Sequence, residues 1–209
     1  LRGIHNIVGN LFDVDEKNSL AISVALGASS TNIVVDNENM AKEAIKYLKD
    51  NNYGRATFLP LNIIKPKSVD SSTIQIIKNI PGYVDIASNL IKYDQKYQDI
   101  ILNLLGNVLV VDTIDNANII AKAINYKYRL VTLNGELIHV GGSVTGGSMA
   151  KARNIILDKY ELDKMINEAK IINEAIQNSE EKINQIDDNY RTVEDKIYLI
   201  NKEKMEREL

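Results

Sequence analysis

A seven-residue apolar repeat runs through the last third of the chain. From residue 162 onward, apolar side chains recur at alternating steps of three and four residues, which keeps them on one stripe of an α-helix. This stripe, the seam, comprises Leu162, Met165, Ala169, Ile172, Ile176, Ile183, Ile186, Tyr190, Val193, Ile197 and Ile200. Ser179 occupies one polar step, and Lys204 and Arg207 continue the spacing. Only another helix covers so narrow a stripe, so we predict a coiled-coil helix over residues 151–209.

The sequence predicts no second helix long enough to cover the seam. The partner helix is therefore expected upstream of the chain or on another molecule. The chain starts at Leu1 without a methionine and stops in mid-heptad, which fits a piece of a longer protein. At about 1.5 Å per residue, residues 162–209 make a helix of roughly 70 Å.

An internal repeat occupies much of residues 1–150. Residues 23–62 align with residues 102–135, so that Gly27 matches Gly106 and the Val-Val-Asp triplet ending at Asp36 matches the one ending at Asp112. Each copy predicts a helix that ends at the glycine, a strand, an Asp-rich turn that caps a second helix, and a further strand. We predict strands over 33–35, 56–59, 108–111 and 130–133, and helices over 18–26, 40–49 and 117–125.

These strand–helix–strand units predict an α/β fold (mixed α+β) with mixed sheets, followed by the long helix. We expect two similar small subdomains, residues 1–80 and residues 81–150, joined by the proline-bounded segment 65–82. The pair Asn134-Gly135 predicts a hairpin turn in the second subdomain.

The composition narrows the possible chemistry. Hydrophobic residues make up 44% of the chain, enough for a core, and cysteine is absent, which excludes disulfides and thiolate metal sites and fits a reducing cytosol. No apolar run approaches the roughly 18 residues of a membrane span. The net charge of −3 lies in residues 151–209, with 11 basic and 14 acidic residues, because residues 1–150 carry 14 of each. Because residues 1–150 have no net charge, they are not expected to bind nucleic acid over a large basic surface.

The densest glycine cluster is GGSVTGGS, residues 141–148. It is a poor phosphate loop, because Gly147 stands where that motif needs a lysine. A flexible turn before the helix is one interpretation. We favour a close approach of two backbones beside an exposed strand edge, and predict a dimer interface at Gly141, Gly142, Ser143, Val144, Gly146 and Gly147.

No pattern in the sequence predicts a catalytic, cofactor or metal site. Neither His5 nor His139 has a carboxylate at metal-ligand spacing, and no nucleophile-elbow motif occurs. The acidic cluster of Asp13, Asp15 and Glu16 is typical of a helix N-terminus. Asp36 and Asp112, the acids an enzyme would use, are better explained as helix caps. At the start of the long helix, Lys151 and Arg153 are candidate phosphate contacts, although so few basic residues are usually only a solvated surface.

Several longer stretches resemble the hinge domain of the structural-maintenance-of-chromosomes (SMC) proteins, closest to the bacterial condensin type. They are VDEKNSLAISVALG (residues 14–27), GRATFLPLNIIKP (54–66), GYVDIASNLIKYDQKY (82–97), LLGNVLVVD (104–112) and YRLVTLNGELIHVGGSVTGGS (128–148). Matched strings in unbroken order over the whole body are far more specific than any single motif.

The resemblance implies a hinge at one end of a long antiparallel coiled coil, with the partner helix upstream, and an ATPase head, where ATP and magnesium bind, at the other end. It implies a homodimer joined through the glycine-rich interface that closes a DNA-embracing ring, in a cytoplasmic, nucleoid-associated protein that condenses or segregates chromosomes. Some relatives carry a lysine run after the glycines that contacts DNA. Here only Lys151 and Arg153 match it, separated by Ala152.

The leading hypothesis is therefore a non-enzymatic dimerisation hinge, with self, the upstream helix and DNA as partners and no membrane. The alternatives are a module whose main task is to bind DNA, a generic coiled-coil dimerisation protein unrelated to chromosomes, and an enzyme that uses the repeated units.

Overall fold

The computed structural model describes residues 2–147 and 155–208. In chain order the elements are β1 (Ile4–Ile7), β2 (Phe12–Val14), α1 (Glu16–Leu26), β3 (Ile33–Val35), α2 (Glu38–Asp50), β4 (Phe58–Pro60), α3 (Ser71–Ile77), β5 (Tyr83–Ile86), β6 (Ile91–Tyr93), α4 (Gln98–Leu105), β7 (Val108–Val111), α5 (Ile114–Ala123), β8 (Arg129–Thr132), β9 (Leu137–Ile138), β10 (Val144–Thr145) and α6 (Ile155–Glu208). The predicted mixed α/β fold with a long terminal helix is confirmed, and β3 and β7 have the predicted bounds.

The strands form three sheets within these residues. One has the order β1-β3-β4, one the order β10-β9-β8-β7-β5, and β2 pairs with β6. β3 and β4 are parallel, as are β7 and β8, and every other pairing is antiparallel. The two parallel pairs are the strands of the sequence repeat, with α2 and α5 as their crossovers.

The repeat extends to the neighbouring strand. β1 runs antiparallel to β3, and β5 runs antiparallel to β7, so β1-β3-β4 and β5-β7-β8 have the same order and directions. The second copy then continues through β9 and β10 beside β8. In the described ranges 2–147 and 155–208, no strand lies in the equivalent place of the first copy, and β4 is at the edge of its sheet.

The core lies on both faces of the five-stranded sheet. All four residues of β7 are fully buried. Val108 and Val110 face an apolar cluster that includes residues of α1 and α4, whereas Leu109 and Val111 face a cluster that includes residues of α3 and α5. A strand covered on both faces explains the unbroken apolar run of β7.

The predicted aspartate caps are wrong by one residue in both copies. The side chain of Asn37 caps α2 by accepting from the N–H groups of Asn39 and Met40, and Thr113 caps α5. Asp36 instead accepts from His5, and Asp112 accepts from the Asn116 amide at 2.9 Å. Each aspartate lies one position too early for its carboxylate to be the capping group.

The two matched glycines have different roles. Gly27 ends α1 with φ of +50°, as the helix-end prediction requires. Gly106 ends α4 with an ordinary φ of −70°. It is needed for space, because a Cβ there would lie 2.2 Å from the carbonyl oxygen of Lys67.

The chain divides into two compact units, residues 1–160 and residues 161–209. The predicted boundary between subdomains at residue 80 stays a prediction. The first turns of α6 belong to the first unit, where Ile156 is buried and Lys159 donates to the Phe12 carbonyl and to Asp13. Gly9 leaves space for Ile155, whose Cγ2 lies 3.3 Å from the position of a Cβ at residue 9.

In the second unit, α6 exposes its whole circumference. All residues from 161 to 207 are exposed, including every member of the seam. A helix of 54 residues is about 80 Å long. Its apolar seam is therefore available to another helix.

Candidate self-association site

The first glycine pair builds a hairpin loop between β9 and β10. Residues 140–142 form this loop, which is closed by a hydrogen bond from His139 N–H to the Ser143 carbonyl at 2.8 Å. Gly141 and Gly142 have φ of +85° and +99°, a region that residues with a side chain rarely adopt. The predicted role of this pair in a close backbone approach stays a prediction, because within one chain the pair shapes the turn.

The second glycine pair follows β10. Gly146 has an ordinary φ, and a Cβ there would lie 3.2 Å from Cγ of Glu136. Gly147 has φ of +116°, and a Cβ there would meet no described atom within 4 Å. No described residue therefore fills the space beside Gly147, and the six residues predicted for the interface lie together in this hairpin and its extension.

β10 is the edge of the five-stranded sheet. Thr145 is paired with Leu137 and Val144 with Ile138. Because His139 N–H donates to the Ser143 carbonyl, the alternation of an antiparallel ladder directs the N–H and C=O of the next residue, Val144, away from β9. The Val144 side chain is 57% exposed. Among the residues that the structure describes, Val144 therefore presents a backbone donor and a backbone acceptor without a partner, together with apolar surface.

β4 is a second open edge, in the three-stranded sheet. Ile33 N–H donates to the Thr57 carbonyl, and Leu61 N–H donates to the Val35 carbonyl, both at 2.9 Å. The intervening Phe58 and Pro60 direct their backbone groups to the other side of β4. Proline has no N–H to donate, and it is tolerated in sheets at such an edge.

The predicted DNA contacts Lys151 and Arg153 lie outside the described residues, as does Ser148. Lys65 and Lys67, which flank Pro66, form backbone hydrogen bonds with α4. The Lys65 carbonyl accepts from the Asn103 amide at 2.7 Å, and Lys67 N–H donates to the Leu102 carbonyl at 3.3 Å.

Both histidines have hydrogen-bond partners. The His5 ring lies between the Tyr97 hydroxyl at 3.0 Å and the Asp36 carboxylate at 2.7 Å. His139 Nε2 lies 3.0 Å from Oγ1 of Thr145 in β10. Among the residues that the structure describes, no group of three or more His, Asp or Glu side chains is arranged to hold a metal ion.

A polar cluster that no sequence pattern indicated is centred on Asp70, at the N-terminus of α3. Its carboxylate accepts from Thr73 N–H at 2.9 Å, Lys127 Nζ at 2.7 Å and the Tyr128 hydroxyl at 2.7 Å, and also from Ser72. The Lys127 ammonium, followed by these other donors, holds the pKa of Asp70 well below its usual range. The cluster connects α3 to the segment between α5 and β8, a contact that local sequence patterns do not encode.

Comparison with known proteins places these features in one family. A family model described as the SMC proteins flexible hinge domain matches residues 1–121. The chromosome partition protein Smc of Bacillus subtilis (strain 168) is 40% identical over 159 residues, which are 76% of this chain and 13% of that protein. The chromosome partition protein Smc of Pyrococcus furiosus is 40% identical over 165 residues, 78% of this chain and 13% of that protein.

Two solved structures are similar in fold. An asymmetric dimer of the Geobacillus stearothermophilus SMC hinge domain matches with a TM-score of 0.75 and 41% identity, covering 83% of this chain and 70% of that chain. The Pyrococcus furiosus Smc hinge domain with an extended coiled coil matches with a TM-score of 0.61 and 37% identity, covering 86% and 61%. The described part of the chain contains no helix long and apolar enough to cross a bilayer.

Proposed function

Because this chain belongs to the family of SMC hinge domains, we propose that it is the homodimerisation module of a chromosome partition protein of the Smc type. The chain spans about 13% of the length of the curated relatives it matches. ATP hydrolysis is assigned to another part of the longer protein, which acts on chromosomal DNA in the cytoplasm. In this proposal the hinge itself catalyses no reaction and joins two copies.

The observation that carries the proposal is the pair of complementary open edges. In the second repeat β9 lies beside β8, whereas no strand of the described residues lies in the equivalent place beside β4. Strand β10 of a second copy can occupy this place, with Val144 offering its N–H and C=O to Phe58. The three-stranded sheet of one copy then continues into the five-stranded sheet of the other.

Two such contacts form at once in a dimer. Each copy carries one β4 edge and one β10 edge, so a two-fold axis lets each copy supply both halves of the contact. The result is a closed ring of two chains. Glycines at positions 141, 142, 146 and 147 remove side chains from the margins of β10, where a second backbone has to approach.

The seam of α6 supports the coiled-coil part of the proposal. Its apolar side chains are exposed in the chain described here, at 57% for Ile183 and 53% for Ile197. We assign them to the upstream helix of the same protein, in an antiparallel pair. The exposed seam also supports simple coiled-coil dimerisation, but that alternative leaves the two open strand edges unexplained.

Cross-linking between singly substituted chains tests the edge pairing. The natural chain has no cysteine, so Ala56→Cys before β4 and Val144→Cys in β10 each introduce one thiol. A bismaleimide should link the two variants only when they are mixed, giving a product of twice 23.4 kDa. A link in the Ala56→Cys variant alone, or none in the mixture, contradicts the proposed pairing.

Light scattering of the dimer provides an independent measurement. The wild-type chain should have twice the 23.4 kDa monomer mass. Val144→Pro removes the outward N–H while leaving the bonds of Thr145 to β9. Losing about 1 kcal/mol at each of two contacts raises the dimer Kd roughly thirty-fold. Val144→Thr keeps the donor and is the matched control. A wild-type chain that stays monomeric at high micromolar concentration excludes the proposal.

Direct DNA contact at Lys151 and Arg153 is the second part of the proposal. Its support is their charge and their place in the sequence, a few residues before the first residue of α6. Binding of a DNA duplex should weaken with salt and should be lost when both residues are changed to glutamate. Duplex binding that is unchanged in this double variant removes these residues from the interface.

A further inference from the structure

A cavity of about 240 Å³ lies beside the first turn of α1 and strand β6. Residues 13–15, Lys17 and Asn18 line it together with residues 89–92. These two stretches are distant in the sequence, and the pairing of β2 with β6 brings them together. The volume is somewhat below the roughly 300–1,000 Å³ of pockets that hold drug-sized ligands, so the cavity suits a small metabolite.

Asn18 contributes a buried amide to this cavity. Its side chain is 2% exposed. Among the residues that the structure describes, its Oδ1 is the one buried side-chain oxygen or nitrogen without a hydrogen-bond partner. Such atoms are nearly always paired in folded proteins, because an unpaired one keeps the full cost of its lost hydration. The Asn18 oxygen therefore requires a donor that the described part of the chain does not supply.

The sequence repeat provides an internal comparison for Asn18. The repeat extends upstream without a gap, so that residues 4–18 match residues 83–97 and Asn18 corresponds to Tyr97. Tyr97 is buried as well, at 7% exposure, but its hydroxyl lies 3.0 Å from Nδ1 of His5. The second copy thus satisfies its buried polar group within the chain, whereas the first copy does not.

The aspartates at the same place in the two copies differ in the same way. Asp94 accepts from Lys96 N–H at 3.0 Å, and its other oxygen lies 3.4 Å from Lys96 Nζ. The matching Asp15 begins α1, yet its side chain caps no N–H group of the helix. Among the described residues its carboxylate also has no ion pair within 4.0 Å. Two acceptors without partners therefore lie at one cavity.

Charges of both signs line the cavity. Asp13 and Asp15 are acidic, and Lys17 and Lys92 are basic. The Asp13 carboxylate is already 3.0 Å from Lys159 Nζ, whereas in residues 2–147 and 155–208 neither lining lysine lies within 4.0 Å of a carboxylate oxygen. A ligand that carries one charge leaves groups of one sign unpaired, so a zwitterion is the better complement.

We propose that this cavity binds a free α-amino acid with an apolar side chain. The α-ammonium group donates to Asn18 Oδ1 and pairs with Asp15, and the α-carboxylate pairs with Lys92. The apolar side chain contacts Val14 and Leu90. The last torsion of an asparagine side chain is broad, so the amide of Asn18 turns at little cost to present its oxygen to the ligand. A ligand placed in this way contacts α1 and β6 at once.

Thermal denaturation of the complete chain with L-leucine as the probe tests the proposal. A ligand that binds only the folded chain stabilises it by mass action, so millimolar leucine should raise the thermal midpoint. The matched probes are 4-methylpentanoate, which lacks the ammonium, and 3-methylbutylamine, which lacks the carboxylate. By titration calorimetry each should bind roughly ten-fold or more weakly than leucine. An unchanged midpoint with leucine, or an analogue that binds as tightly, contradicts the proposal.

Substitution of the exposed carboxylate tests the site without disturbing the core. Asp15→Asn should weaken leucine binding roughly ten-fold or more, because it removes the charge that pairs with the ammonium. Asp50→Asn, at the exposed end of α2, is the matched control and should bind like the wild type. Equal affinity of the Asp15→Asn variant and the wild type overturns the assignment.

Asn18→Leu separates a ligand from an ordered water molecule. The substitution keeps the approximate shape of the side chain and removes the unpaired oxygen, so without leucine the variant should melt above the wild type. It should also lose leucine binding. If the variant without leucine melts below the wild type, a water molecule already satisfies Oδ1 and the proposal is wrong. Leucine binding that persists in this variant contradicts it equally.

Discussion

Asp70 illustrates, at the scale of single residues, how one carboxylate connects distant parts of the chain. It caps α3 and accepts from Lys127 and Tyr128, which lie more than fifty residues away. Its pKa is lowered on folding, chiefly by the Lys127 ammonium. The stabilisation is therefore fully present above the ordinary pKa of 3.8 and is lost as the pH falls below it.

Asp70→Asn should lower the thermal midpoint of the chain at neutral pH. The amide retains the shape of the side chain but loses the charge that attracts Lys127. The difference in midpoint between wild type and variant should shrink as the pH falls below about 4, because Asp70 of the unfolded wild-type chain then takes up a proton, whereas the folded chain, with its lowered pKa, does not. Circular dichroism melts at several pH values measure this. Asp187→Asn on exposed α6 is the control, and a difference that is constant with pH contradicts the assignment.

Gly106 is a residue whose role depends on available space. Its Cβ would approach the carbonyl oxygens of Lys67 and Leu102 to 2.2 and 2.6 Å. We expect Gly106→Ala to cost about 1–3 kcal/mol of unfolding free energy, because the segment before α3 has to move. Urea unfolding measures the loss, with Lys78→Ala at the exposed end of α3 as the control. If Gly106→Ala leaves the free energy of unfolding unchanged, the backbone around Lys67 moves away from the new Cβ without cost, which contradicts the prediction.

Residue patterns predicted that a helix follows each Asp-rich turn, but they placed the starts of α2 and α5 two and three residues late and identified the wrong capping groups. An aspartate precedes α2 and α5 in the sequence, yet Asn37 and Thr113 are the caps. Both neighbours accept hydrogen bonds, so composition alone does not decide between them. The contact of Asp36 with His5 in β1 depends on strand pairing, which no local pattern specifies.

At the scale of whole elements, strands with local partners were predictable and those with distant partners were not. The repeat identified β3, β7 and their crossover helices because each unit is contiguous in sequence. β2 and β6 were missed, since three-residue strands give little alternation and their pairing joins Phe12 to Tyr93. The candidate glycines were found because they cluster in the sequence. The open edge of β4, in contrast, could be identified only from the order of the strands in the sheet.

α6 should be the least protected element in hydrogen exchange. Its residues from 161 to 207 are exposed, so its helicity rests on local propensity without tertiary packing. Amides there should exchange faster than those of buried β7 by roughly three orders of magnitude or more. Mass spectrometry of exchanged peptides measures the difference. Ile183→Asp should leave the difference in exchange rate between α6 and β7 unchanged. Equal protection of α6 and β7 in dilute solution indicates instead that another helix already covers the seam.

At the scale of the whole molecule, two contacts in one dimer predict a form of complementation. A chain with a defective β4 edge and a chain with a defective β10 edge retain one intact contact when they are mixed. The Kd of the mixed dimer should lie between that of the wild type and that of either variant alone. In the wild type, the second contact forms within a dimer that the first contact already holds together, and the mixed dimer lacks this second contact. Sedimentation of mixed Phe58→Asp and Val144→Pro chains measures this. Identical Kd values for mixed and separate variants contradict the two-contact arrangement.

The unlike edges on β4 and β10 also carry a hazard. A chain that presents both ends of a complementary pair is able to add further chains without limit, and such head-to-tail growth yields filaments whenever the rotation between neighbours fails to return to the start. Substitutions that alter the direction of either edge without weakening its pairing should therefore lower the solubility of the protein more than the affinity between two chains. Long polymers in a preparation of such a variant would indicate that the angle between the two edges limits the wild-type assembly to two chains, rather than a segment that covers the edges.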